Sequence, residues 1–186
     1  MKRGSAEDLL SGRVIADETW YGGKPRNRHG HDPSKRMPGL TDKVSIMALV
    51  SRETGEVRSR VIPNVKRDTL RKAIGEEVDV PNTHLQTDSL RTYQLIADDF
   101  ASHGFVNHEA REYVSGDVTT NHAETYFSQL QRSLDGTHHH VSREHLERYL
   151  AEFDFRYTTC KQTDTERMTQ MVEQTHGRRL TYRQAA

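Results

Sequence analysis

One apolar run constrains the fold of this chain more than any other feature. Val44 to Val50 reads Val-Ser-Ile-Met-Ala-Leu-Val, the most apolar run in the sequence, and it predicts a buried strand. Thr54-Gly55-Glu56 is a turn signal, and the alternating pattern of Val57 to Ile62 predicts a strand that pairs back as a hairpin. We therefore expect the core to be built on a β-sheet.

The other segments add strands and helices around this hairpin. Val14 to Ala16 predicts an earlier strand, and His84 to Thr87 predicts a later one that follows a connection at Pro81-Asn82. Further short strands are predicted at Phe105-Val106 and Tyr113-Val114. Helical spacing of apolar residues predicts helices over 66–77, 90–102, 119–134, 143–157 and 164–174.

The ends and buried faces of two helices are also predicted. We expect Ser89 to cap the helix over 90–102 and Gly104 to end it in a left-handed conformation. Ser142 is expected to cap the next long helix, which should bury Leu146, Tyr149, Leu150, Phe153 and Tyr157. The element order β-β-β-α-β-α-β-α-α predicts an α/β protein with a mixed sheet flanked by helices, as in ribonuclease H-like folds.

Length, charge and cysteine content narrow the class of protein. A chain of 186 residues suits one domain, divided here into a flexible N-terminus (1–13), a catalytic domain (14–160) and a C-terminal helix with a basic tail (161–186). The 27 basic and 27 acidic residues balance, so affinity for nucleic acid must come from local patches. The basic segment 24–43 is either a solvated loop or a nucleic-acid contact. A single cysteine and no membrane-length apolar run predict a cytoplasmic protein without a membrane partner.

Three acidic residues occur in settings that suggest one site. Asp17 and Asp88 each end a short apolar run, and Glu124 lies inside a helical segment. Each of them alone is typical of a surface, turn or helix acid. The order strand-Asp, strand-Asp, helix-Glu predicts a nuclease or transposase core that holds a divalent metal against a phosphodiester, because carboxylates are hard oxygen ligands.

Ordered motifs around these acids resemble a known family, the transposase domain of ISXO-like insertion sequences. The resemblance covers about residues 14–184 and includes Asp17-Glu18-Thr19-Trp20-Tyr21-Gly22-Gly23-Lys24, Thr87-Asp88-Ser89 with Tyr93, Thr120-Asn121-His122-Ala123-Glu124, Gly136 to Ser142, and Arg178 to Tyr182. It implies a ribonuclease H-like fold and metal-dependent DNA strand cleavage and strand transfer. It also implies two Mg²⁺ or Mn²⁺ ions ~3.5–4 Å apart. The implied partners are DNA, as terminal inverted repeats and target, and further copies of the chain.

Roles follow from the resemblance for particular residues. Asp17 is expected to bridge both metals, with Asp88 on one and Glu124 on the other. Asn121 lies three residues before Glu124, so both share a helix side and Asn121 is the alternative third ligand. Lys24, Arg132 and one histidine of the 138–140 run, His139, are the expected DNA contacts.

Two departures from the family pattern define the alternatives. The family has a lysine seven residues after the glutamate and then an arginine, whereas this chain has Gln131 and Arg132. The family also carries an N-terminal zinc ribbon, and here 16 residues precede Asp17. The alternative function is therefore a truncated or domesticated DNA-binding remnant without catalysis. A third interpretation is a structural module that binds zinc through the 138–140 histidines. Trp20 and Tyr21 are expected in the core, with base stacking as their alternative.

Overall fold

The computed structural model describes residues 9–22, 43–106, 114–115, 118–139 and 141–175. The strands are β1 (Leu10–Tyr21), β2 (Val44–Ser51), β3 (Val57–Ile62), β4 (Val78–Asp88), β5 (Ser102–Val106), β6 (Val114–Ser115) and β7 (Val118–Thr119). The helices are α1 (Arg67–Gly75), α2 (Arg91–Gln94), α3 (Asn121–Arg132), α4 (Arg143–Thr158) and α5 (Asp164–Thr175). Lys24 and nearly all of the basic segment 24–43 lie outside the described residues, as does the basic tail.

Five strands form one mixed sheet in the order β3-β2-β1-β4-β5. β1, β2 and β3 are antiparallel neighbours, whereas β4 runs parallel to β1 and β5 runs parallel to β4. β6 and β7 form a separate two-stranded ribbon. The predicted α/β fold, a mixed sheet flanked by helices, is confirmed.

Each face of the sheet carries its own core because side chains alternate along the strands. Ile15 of β1 packs in a cluster with the apolar residues of α3 and α4, whereas Val14 and Ala16 pack with those of α1 and the segment around α2. The predicted apolar face of α4 is confirmed: Leu146, Leu150 and Phe153 belong to the first cluster, and Tyr149 and Tyr157 pack against it. We call this side of the sheet the α3 face.

Two strands are longer than predicted. β1 begins at Leu10 and continues through Asp17 to Tyr21, because β2 pairs with every residue from Val14 to Tyr21. β4 begins at Val78 and passes through Pro81, which the sequence had placed in a connection. The register shifts from Leu10↔Val78 to Gly12↔Thr83, so the extra residues of β4 bulge out and the proline interrupts no pairing.

The predicted helix over 90–102 is wrong. Only Arg91–Gln94 is α-helical, and a 3₁₀ turn at Ala97–Asp99 leads directly into β5. The Ala101 N–H donates to the Thr83 carbonyl at 3.0 Å, so pairing with β4 replaces the last helical turns. Gly104 lies inside β5 and ends no helix. A Cβ there would stand 2.5 Å from Val118 Cγ2, so glycine is needed for the close approach of β7.

Three smaller expectations also differ from the structure. Ser89 does not cap α2; instead the Asp88 carboxylate accepts the Leu90 N–H at 2.9 Å. Ser142 precedes α4 without a side-chain capping bond. Trp20 is 51% exposed, so its predicted core position is wrong, whereas Tyr21 is buried as predicted. None of the helices in the described ranges has the length and apolar character needed to cross a bilayer.

Candidate active site

The parallel pairing of β1 with β4 aligns Asp17 and Asp88. The last paired residues are Val14↔Leu85 and Ile15↔Gln86, so continuing this register by two residues sets Asp17 beside Asp88. Both side chains then project from the α3 face, because Asp17 is two residues from Ile15 and Asp88 is two residues from Gln86. Both are half-buried. The structure therefore brings these two predicted site residues together.

Backbone donors fix one oxygen of each aspartate. The Glu18 N–H donates to Asp17 Oδ1 at 2.8 Å, and the Leu90 N–H donates to Asp88 Oδ1 at 2.9 Å. A carboxylate oriented in this way loses little further freedom when its other oxygen takes a ligand. Asp17 within β1 and Asp88 at the end of β4 thus present preoriented carboxylates.

A third carboxyl, Glu18, lies next to this pair but on the opposite face of β1. The Tyr93 hydroxyl donates to Glu18 Oε2 at 2.7 Å. Burial is the main cause that raises the pKa of Glu18 to about 7. The Tyr93 hydrogen bond opposes this rise, and the negative charges of Asp88 and Asp17 add to it. The pKa of Tyr93 is also raised, first by burial and then by the Glu18 charge. The hydrogen bond joins the part of β1 that carries Asp17 to the segment that follows Asp88.

The raised pKa of Glu18 predicts a pH dependence of stability. The pKa rises from 4.5 to about 7 on folding, so the Glu18 contribution is full below pH 4.5 and is lost as the pH rises through 7. Between pH 5 and pH 8 the unfolding free energy of wild type should therefore fall relative to Glu18→Gln, by about 2 to 3 kcal/mol. Urea denaturation in EDTA across this range measures the difference. If the difference in unfolding free energy between wild type and Glu18→Gln stays constant with pH, the pKa assigned to Glu18 is wrong.

Glu124 and Asn121 lie on the first turn of α3, on the face of the sheet where Asp17 and Asp88 project. β7 leads into this helix, and the Thr119 N–H contacts Gln86 Oε1 at 3.5 Å, two residues before Asp88. The Thr120 hydroxyl donates to Glu124 Oε1 at 3.0 Å. The start of α3 is thereby anchored beside β4, and both candidate third ligands are exposed at its surface.

The donor chemistry suits a divalent cation, although the three acids do not form a closed cluster. Among the described residues, no group of three or more histidine, cysteine, aspartate or glutamate side chains is arranged to hold a metal ion. The aspartate pair nevertheless supplies hard oxygen donors, and its charge already raises the pKa of Glu18. A cation at Asp17 and Asp88 would offset this repulsion. The residues present therefore fit a metal, with Glu124 outside the immediate pair.

A groove of about 860 Å³ runs from Glu124 along α3 and α4. One stripe of α3 lines it, comprising Asn121, Glu124, Thr125, Ser128, Gln129 and Arg132, and Phe153 and Arg156 of α4 close the other side. Gln131, which replaces the family lysine, lines a neighbouring hollow and donates to Asp135 Oδ2 at 2.7 Å. Arg132 lines this hollow too, and it also lines the groove that begins at Glu124. We call this surface the α3–α4 groove.

Of the other predicted DNA contacts, only His139 lies among the described residues, and it does not line this groove. His139 is exposed with φ 58, just after the π-helical turn Ser133–Thr137. His138 instead stacks edge-on against Tyr149, with ring centroids 4.7 Å apart. His140 and Lys24 lie outside the described residues, so the structure supplies no position for the lysine next to the paired glycines.

A family model described as the ISXO2-like transposase domain matches residues 9–158. The chain belongs to this family. A protein of Halobacterium salinarum, described as an uncharacterized protein in transposable element ISH50, is 30% identical over 176 residues. That match covers 88% of this chain and 58% of the relative, so the chain spans under two thirds of the relative's length. The catalytic core domain of BIV integrase is similar in structure, with 14% identity, a TM-score of 0.49, and coverage of 79% of this chain and 83% of that one.

Two residues of this transposase domain site escaped the sequence analysis. Glu18 was noted only as part of a motif, although an acid directly after Asp17 in an alternating strand must point to the other face. Arg156 was given no role. Its place in the groove depends on how α4 packs against α3, which no local pattern encodes.

Proposed function

We propose that this chain is the catalytic core of an insertion-sequence transposase, which cleaves DNA strands and transfers them to target DNA. The observation that supports it most directly is the parallel pairing of β1 with β4, whose last pair, Ile15↔Gln86, lies two residues before Asp17 and Asp88. Family membership supports the same class of chemistry. The proposed partners are DNA ends, target DNA and a second copy of the chain, because two element ends must be joined.

Asp17 in β1 and Asp88 at the end of β4 would hold the divalent cation, Mg²⁺ or Mn²⁺, through their carboxylate oxygens. When bound, the cation would supply Lewis-acid stabilisation of charge at phosphorus and activation of the attacking hydroxyl. The protein's own part is mainly positioning, because phosphoryl transfer depends on alignment and charge neutralisation. The backbone N–H groups of Glu18 and Leu90 perform that positioning by fixing one oxygen of each carboxylate.

Glu124 is the third ligand in this proposal. Its side chain, which accepts the Thr120 hydroxyl, would turn from that hydrogen bond towards the aspartate pair. Asn121, at the first position of α3, would contact DNA or add a neutral oxygen ligand. The negative charge of Glu124 favours it over Asn121, because charge neutralisation of a divalent ion requires carboxylates.

The choice between the two candidate third ligands can be tested directly. Glu124→Gln should lower Mn²⁺-dependent nicking by more than about 100-fold, whereas Asn121→Ala should lower it by less than about tenfold. Both residues are exposed, so both variants should melt within a few degrees of wild type. Nicking rates on a labelled duplex measure the difference. The opposite order of effects would assign the ligand role to Asn121.

The proposed function itself is tested by strand cleavage and strand transfer on a labelled DNA duplex, in Mn²⁺ and in EDTA. We expect products in Mn²⁺ and none in EDTA. DNA binding without cleavage under any metal condition would favour the non-catalytic remnant instead. Tightly bound zinc in the purified protein, with no effect of Mn²⁺, would favour the module built on the histidine loop.

A further inference from the structure

A second hollow continues the α3–α4 groove away from Glu124. It has a volume of about 500 Å³ and shares Gln129, Phe153 and Arg156 with the groove, so the two form one continuous surface. Its walls come from the β2–β3 turn, α3, the end of α4 and the start of α5. A chain molecule lying in the groove beside Glu124 would therefore pass over Arg156 into this hollow.

The charged side chains that line this hollow are positive. Arg156, Lys161 and Arg167 line it together with His122, and no aspartate or glutamate is among the described residues that form its walls. Arg156 is paired with Glu152 at 3.3 Å and Arg167 with Asp164 at 3.2 Å. Exposed pairs of this kind contribute about 0.2 to 1 kcal/mol, so a phosphate group can displace the carboxylate at little cost.

Resting on the proposed function, we propose that Arg156, Lys161 and Arg167 bind the sugar–phosphate backbone of the DNA strand that runs past Glu124. Arg132, at the far end of the α3 stripe, contacts the same strand within the α3–α4 groove. Neither comparison nor motif assigns Lys161 and Arg167 a role, and the family match ends at residue 158. The first residues of α5 thus extend the DNA path beyond the matched domain.

The test compares two triple variants that lose the same number of positive charges. R156Q/K161Q/R167Q removes the cations of the hollow. R67Q/K72Q/R91Q removes three exposed cations of α1 and α2, on the opposite side of the sheet. Fluorescence anisotropy with a labelled duplex that carries a single-stranded 3′ tail is measured in EDTA at several salt concentrations. Thermal melts check that both variants are folded.

We expect the slope of log Kobs against log salt to become shallower by about 2 in the hollow variant and to stay unchanged in the control, since each lost phosphate contact removes about 0.7 to 0.9. Equal slopes in the two variants would overturn the proposal, and so would absence of DNA binding by wild type. The variant R156K/K161Q/R167Q keeps a cation at position 156. It should therefore retain about one third of the slope that the hollow variant loses.

Cleavage assays of wild type and Asp17→Asn in Mn²⁺, added to these binding measurements, separate this proposal from the proposed function. If the slopes are equal but wild type still cleaves in Mn²⁺ and Asp17→Asn does not, the DNA path is wrong and the catalytic core stands. If the slope of log Kobs against log salt becomes shallower in the hollow variant while wild type never cleaves, the DNA path stands and the catalytic assignment is wrong.

Discussion

Asp17→Asn and Asp88→Asn are each expected to lower metal-dependent DNA cleavage by more than about 100-fold. Loss of a partner that merely orients a metal ligand costs about 10- to 100-fold, so loss of a ligand itself should exceed that range. Asparagine keeps the size of the side chain and removes the charge. Product formation on a labelled duplex over a range of Mn²⁺ concentrations measures the effect, and Mn²⁺ binding followed by electron paramagnetic resonance reports the site without turnover.

Stability separates this loss from misfolding. The charges of Asp17 and Asp88 raise the pKa of the buried Glu18, so removing either charge relieves repulsion. Both variants should therefore melt at or above the wild-type temperature in EDTA. Asp98→Asn, at an exposed position of the 3₁₀ turn, serves as the matched control and should cleave like wild type. Near-normal cleavage by Asp17→Asn would remove the basis of the proposed site.

Asp154→Ala is expected to lower the unfolding free energy by about 3 kcal/mol. The carboxylate is 1% exposed and accepts hydrogen bonds from the Ser59 N–H at 2.7 Å, the Ser59 hydroxyl at 2.9 Å and the Tyr126 hydroxyl at 2.6 Å. It joins α4 to β3 and α3 inside the α3-face core. Alanine would leave buried donors unsatisfied, which costs about 1 to 3 kcal/mol for each group.

Urea denaturation measures this effect, and Glu152→Ala on the same helix is its control. Glu152 is exposed and forms a weak pair with Arg156 at 3.3 Å, so its loss should change stability by less than about 0.5 kcal/mol. Tyr126→Phe should fall between the two, since it removes one donor and leaves the carboxylate bonded to Ser59. A loss of under about 1 kcal/mol in Asp154→Ala would mean that water replaces the missing oxygens.

Local pattern was sufficient where a segment's environment follows from its own residues. The apolar run from Val44 is a strand because it is buried on both faces, and the apolar stripe of α4 packs as its spacing requires. Local sequence pattern gave the wrong element where a residue distant in sequence determines the structure. The segment 90–102 has helical spacing, yet pairing of Ser102 with His84 makes its end a strand, and Gly104 serves the approach of β7. Trp20 was expected in the core because it is large and apolar, but it lies on the strand end that β4 no longer flanks.

The candidate site shows the same division. Asp17, Asp88 and Glu124 were predicted from their places at strand ends and on a helix, and the register explains the proximity of the aspartates. The raised pKa of Glu18 comes first from burial and then from the charges of Asp88 and Asp17, and no spacing rule predicts that burial. The opposing hydrogen bond comes from Tyr93, 75 residues away in sequence. The burial of Asp154 could not be predicted from the sequence either. An acid on an amphipathic helix is ordinarily solvated, and only the packing against Ser59 buries this one.

The parallel pairing of β1 with β4 also determines when the two aspartates can meet during synthesis. β2, β3 and α1 all leave the ribosome between them, and β1 can complete its antiparallel ladder with β2 before β4 exists. Closing the parallel pair is a non-local step that comes later and more slowly. A nascent chain therefore carries Asp17 on a partly built sheet without its partner acid, so the ability to cut DNA would be acquired only as folding is completed.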